Sequence, residues 1–117
     1  MDLREYLTRY PHDVAFGDED PETVFDRYHA PGFVLRNDGV TLDRTRLLAH
    51  VRPARKRATR VHTEVHEALT AGDQVAARYT LTADMRNGHT ITTEIFLFGA
   101  LADDGRLRRI DQVTRTV

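Results

Sequence analysis

Thr90-Ile-Thr-Thr-Glu-Ile-Phe-Leu-Phe98 is the most apolar strand-like run of the chain, and the fold is read outward from it. Successive side chains of a strand point to opposite faces, so Glu94 shares a face with Thr92, Phe96 and Phe98, while Ile91, Ile95 and Leu97 cover the other. Both faces read as buried. A lone carboxylate left unpaired in such a strand costs several kcal/mol, so Glu94 is expected to be protonated, paired or lining a wet cavity.

The same period-2 pattern extends to either side. Val61 to Leu69, Gln74 to Met85, Thr90 to Leu101 and Leu107 to Val117 read as four strands, separated by Ala71-Gly72-Asp73, Arg86-Asn87-Gly88 and Asp103-Asp104-Gly105. Three turns of that kind in succession imply an antiparallel meander. The first half has a helical period instead. Leu3, Tyr6, Leu7 and Tyr10 follow the cap residue Asp2, and Pro11 is expected to interrupt or restart that helix. Asp20-Pro21-Glu22-Thr23 starts a second helix, with Val24, Phe25 and Tyr28 as its stripe, and Pro31-Gly32 ends it. Phe33-Val34-Leu35 is a short strand leading to the turn Asn37-Asp38-Gly39; a third helix after Asp43 carries Leu47, Leu48 and Val51, with an early end or a kink at Pro53. Helices at the front and strands at the back define an α+β domain over residues 1–117, with helices covering one face of a curved, mainly antiparallel sheet and a ligand site in the concavity.

Composition narrows the function classes. With 40% apolar and 30% charged residues and a formal net charge of -1, the 117-residue chain has the balance of an ordinary globular protein. It contains no cysteine, which excludes disulfides, thiol chemistry and cysteine-ligated metals. No apolar stretch approaches the roughly 20 residues that span a bilayer, and the start Met-Asp-Leu-Arg-Glu-Tyr lacks a signal-peptide layout, so a cytoplasmic protein without a membrane partner is expected. Basic residues concentrate at Arg52, Arg55, Lys56, Arg57 and Arg60, the end of the third helix, where cations complement the helix dipole. Because the chain as a whole is not basic, no nucleic-acid partner is expected.

The element order, together with Arg9-Tyr10, Phe16-Gly17-Asp18, Asp26-Arg27-Tyr28, Asn37-Asp38-Gly39 and Asp104-Gly105-Arg106-Leu107, resembles the nuclear-transport-factor-2-like superfamily, in particular its SnoaL-like polyketide cyclases and ketosteroid isomerase relatives. The resemblance implies a cone-shaped α+β barrel, commonly a homodimer through the sheet, with a pocket inside the cone. Ketosteroid isomerase places a tyrosine on the first helix, an aspartate base after the second and a protonated acid on a late strand. Tyr10 is similar to the first and Glu94 to the last, but Arg36 occupies the base position, and a guanidinium cannot accept a proton at neutral pH. SnoaL-type cyclases carry an acid on the last strand, where Gln112 is expected to face inward here and Asp111 outward.

Glu94 beside Arg36 is expected to form a buried ion pair, catalytic or structural. His50, three residues after Leu47, is placed near the face that looks into the cone, with a side chain suited to general acid–base work. Glu94, Tyr10, Arg36 and His50 are thus the candidate catalytic set, with Tyr79, Phe96, Phe98, Gln112 and Tyr28 as candidate ligand contacts. The row His62, Glu64, His66 invites a metal, yet residues four apart on a strand lie about 13 Å apart, so a solvent or dimer face is the better reading and no metal or cofactor is expected. His12, His29 and His89 carry no evident signal. The function expected is binding of a small hydrophobic molecule, with cofactor-free isomerisation, cyclisation, dehydration or epoxide opening as the chemistry of an enzyme; the alternative is a non-catalytic dimeric accessory module.

Overall fold

In the computed structural model, which describes residues 1–117, Asp2 accepts a hydrogen bond from the Glu5 amide at 3.0 Å and so starts α1 (Leu3–Phe16). The helix does not stop at Pro11. Leu3, Tyr6 and Leu7 before the proline and Val14 and Ala15 after it are buried on one side, and that burial outweighs the single backbone hydrogen bond Pro11 cannot make. The second helix, α2 (Pro21–Tyr28), has its proline at the first position, although Asp20 makes no side-chain cap bond. It passes directly into β1 (His29–Asn37), longer than the expected Phe33–Leu35; Pro31-Gly32 falls inside the register break between His29 and Val34. Asp38 and Gly39 have φ of 50° and 86°, the paired left-handed residues of a tight hairpin into β2 (Val40–Asp43).

The third helix is split at His50 into α3 (Arg44–Ala49) and α4 (Val51–Arg57). Pro53 lies in the first turn of α4 and has no amide hydrogen for the Ala49 carbonyl, which accounts for the break. Arg55, Lys56 and Arg57 occupy the last turn of α4. The meander follows as β3 (Ala58–Ala71), β4 (Gln74–Met85), β5 (Thr90–Leu101) and β6 (Leu107–Thr116), paired antiparallel in order.

The sheet has six strands in the order β2-β1-β6-β5-β4-β3, with β1 and β6 forming its one parallel pair. Helices lie on one face only. Beneath them sit Val75, Ala77 and Tyr79 of β4, Ile95 and Leu97 of β5 and Ile110 of β6, joined to Leu3, Tyr6, Leu7, Phe25 and Phe33 in a single core. On the open face Phe96 and Phe98 are 44% and 64% exposed, so the expectation that both faces of β5 are buried is corrected. No helix is long and apolar enough to cross a membrane.

Candidate ligand cavity

A hollow of about 160 Å³ lies between the helices and the covered face of the sheet. Tyr6 and Tyr10 of α1, Phe25 of α2, His29 and Phe33 of β1, Leu47 of α3, Tyr79 of β4 and Gln112 of β6 all line it. No carboxylate, arginine or lysine is among its lining residues. Its polar centre is His29, only 3% exposed and packed against Phe25 and Phe33 with ring centroids 4.2 and 4.3 Å away. Nδ1 of His29 is 2.7 Å from the Phe25 carbonyl oxygen and Nε2 is 2.8 Å from the Tyr6 hydroxyl. Burial lowers the His29 pKa from 6.5 to about 4, so the ring is neutral at pH 7.

Four phenols gather around this histidine. Tyr10 stacks on Tyr6 at 5.3 Å, and Tyr28 meets both edge-on at 5.4 and 5.7 Å. Burial pushes the Tyr6 hydroxyl well above its ordinary pKa, with the proximity of Tyr10, Tyr79 and Tyr28 adding to it. Desolvation alone raises Tyr10 and Tyr79, consistent with hydroxyls that have no hydrogen-bond partner within the protein. Gln112 donates from Nε2 to Asn37 Oδ1 at 3.0 Å, which fixes its amide at the cavity wall.

The residues expected from sequence divide between two faces. Tyr10, Tyr79 and Gln112 line the cavity, and Tyr28 is half-buried against its aromatic wall. Glu94 is on the other side of the sheet. Register pairs it with Thr80 and Arg115, and its carboxylate lies 3.0 Å from Arg115 and 3.9 Å from Arg78, with a side chain 19% exposed. The Glu94–Arg36 pair does not form. Arg36 sits opposite Asp111 in the parallel ladder and reaches that carboxylate at 3.5 Å, whereas Glu94 sits opposite Arg115, four residues or about 13 Å further along β6. Phe96 and Phe98 are likewise on the open face, since Leu97, paired with Ala77 and Gln112, takes the covered one. His50 is exposed at the end of α3, its Nδ1 2.6 Å from the Arg46 carbonyl oxygen, and Leu47 enters the cavity instead. Asp38 is tied to β6 through the Thr114 amide at 2.8 Å and hydroxyl at 2.5 Å, bonds that lower its pKa. His62, Glu64 and His66 lie on the open face, with His66 Nε2 2.7 Å from the Thr80 hydroxyl.

Two members of the cavity, His29 and Tyr6, have no role in the sequence reading. His29 is the first residue of β1, directly after α2, so neither the helical nor the strand period marks it in the sequence. The open face carries its own, larger groove of about 500 Å³, lined by Arg36, Leu69, Arg78, Phe96, Phe98 and Val113 among others.

Helices on one face of a six-stranded sheet, with an aromatic hollow beneath them, define an α+β fold of the nuclear-transport-factor-2-like class. The SnoaL-like domain family matches residues 7–110, and the chain belongs to it. Among solved structures, a nuclear-transport-factor-2-like protein of unknown function from Exiguobacterium is similar with a TM-score of 0.71 at 15% identity, covering 97% of each chain. IdmH, a candidate polyketide cyclase from Streptomyces antibioticus, gives 0.67 at 16% identity, covering 88% of this chain and 84% of its own. A protein of ketosteroid isomerase-like fold from Catenulispora acidiphila, solved with trimethylamine, gives 0.68 at 10% identity, covering 94% of this chain and 82% of its own. No curated protein matches the sequence.

Proposed function

We propose that this SnoaL-like protein binds one small, uncharged, largely apolar molecule in the cavity around His29. The observation that carries the reading is an aromatic hollow with two tyrosine hydroxyls, Tyr10 and Tyr79, free of protein partners. A cavity of about 150 Å³ lined by apolar side chains accommodates a benzene, so a hollow of about 160 Å³ suits a molecule with one ring. A charged ligand is disfavoured because nothing in the wall carries an opposite charge. Any reaction there runs through hydrogen bonds and proton transfer at Tyr6–His29, Tyr10 and Tyr79, not through Glu94, whose carboxylate is on the far side of the sheet. Titration calorimetry with toluene, phenol and anisole tests the reading: wild type should bind at least one, and Leu47→Trp, which fills the hollow, should bind none. Equal binding by that variant would refute it.

A second reading has support of its own. The hollow is small beside the roughly 300–1,000 Å³ of ordinary ligand sites, and the open face displays Leu69, Phe96, Phe98 and Val113 at 44–69% exposure. A homodimer through this face, serving as a non-catalytic module, fits those facts. In that arrangement Glu94, Arg78 and Arg115 on one side and Arg36 and Asp111 on the other frame an apolar centre.

A further inference from the structure

The hydrogen-bond chain at the cavity has a fixed direction. It begins at the Phe25 carbonyl, an acceptor only, so the His29 nitrogen 2.7 Å away, Nδ1, carries the ring proton. A neutral imidazole has one N–H, which leaves Nε2 bare. The Tyr6 hydroxyl, 2.8 Å from Nε2, therefore donates its only proton to the histidine, and nothing but lone pairs remains on its oxygen for any other neighbour. Neutrality of the ring is enforced by its burial among Phe25, Phe33, Tyr6 and Tyr10. The backbone amide of His29 also bonds to the Phe25 carbonyl, so the start of the chain is held by the helix end itself.

We infer that the occupant of this cavity is a one-ring molecule bearing a hydroxyl, a phenol or a cyclic enol, whose O–H donates to the Tyr6 oxygen. This rests on the cavity being a ligand site, as proposed above. Tyr10 and Tyr79 complete the match: each hydroxyl is free of protein partners and can turn its proton toward the ligand oxygen, which then donates once and accepts up to twice. A ring with an ether or a methyl in place of the hydroxyl leaves the buried Tyr6 lone pairs without a donor, and such a loss weakens binding by about tenfold. Tyr6 is thus a specificity-determining residue, with His29 positioning its proton.

Calorimetry with phenol, anisole and toluene separates the possibilities. Wild type is expected to bind all three, with phenol about tenfold tighter than anisole, and Tyr6→Phe to lose the preference for phenol. If none of the three binds wild type, the ligand-site reading fails and this inference with it. If toluene binds but phenol is no better than anisole, or if Tyr6→Phe keeps the preference, only the present inference is overturned. A measurement on wild type alone guards against a variant that folds poorly: the 15N shifts of the His29 ring at pH 7 should report a protonated Nδ1 and a bare Nε2. A proton on Nε2 would overturn the inference.

Discussion

Replacing His29 with glutamine should flatten the pH dependence of stability between pH 7 and pH 4.5. In the folded protein the ring stays neutral until about pH 4, while in the unfolded chain it takes up a proton near 6.5. Acidification through that window protonates the unfolded state first, so the contribution of the neutral ring is fully present above pH 6.5 and is lost as pH falls toward 4. At about 1.4 kcal/mol per pH unit, the whole effect is about 3 kcal/mol, and about 2.5 kcal/mol of it falls between pH 7 and pH 4.5. Asp26, Asp38 and Asp104 have lowered pKa values, and their contributions are lost chiefly below their unfolded pKa of 3.8. The histidine window is therefore separable from theirs. Urea unfolding followed by far-ultraviolet circular dichroism at half-unit intervals provides the curves. Wild type should lose about 2.5 kcal/mol more than His29→Gln over this range, so that the cost of the substitution, about 2–3 kcal/mol at pH 7 from the lost Tyr6 bond and ring packing, nearly disappears at pH 4.5. Parallel curves for the two proteins would refute the assignment of a neutral, buried His29.

Three further outcomes are expected. Phe98→Glu puts a charge on a side chain 64% exposed on the open face; if the homodimer proposed above forms there, the variant should be monomeric by light scattering, and an unchanged dimer mass would exclude that face as the interface. Gly99→Ala should destabilise by about 1–3 kcal/mol in urea, because a Cβ there would lie 2.8 Å from the Arg109 carbonyl oxygen and 3.0 Å from Val75, both on neighbouring strands; a neutral result would show that the β5–β6 contact yields. Glu94→Gln should cost no more than about 1 kcal/mol and leave binding of one-ring compounds intact, since its arginine partners lie at the surface away from the cavity; a loss of binding at unchanged stability would contradict that placement.

The strands of the second half were legible because their turns are marked by residues with few alternatives: Gly72, Gly88 and Gly105 all have φ between 61° and 88°. The inner face of β5 was not. Ile95 and Leu97 on one side and Phe96 and Phe98 on the other are equally apolar, and alternation says only that the two sets oppose each other. What decides is the register across strands, which puts Leu97 in a row with Ala77 and Gln112 under the helices and Phe98 in a row with Ala76 and Asp111 on the open face. A local pattern does not contain that row. The inward Gln112 was readable, and with it the outward turn of Asp111 that leaves the last strand without an inward-facing acid, whereas His29 was hidden at a helix–strand junction where neither period applies cleanly.

The middle place of β6 has a kinetic consequence. Its partner β1 lies far back in the chain, with Asn37 and Gln112 bonded across 75 residues, so that pairing closes a long loop and belongs among the slow steps of folding. Until β6 inserts, the β1–β2 hairpin and the β3–β4–β5 meander are separate units with unsatisfied edges at β1 and β5, the two edges most open to pairing with another chain. During synthesis those edges stay open until β6, which ends at Thr116, is available to pair, so the strand order itself delays their closure.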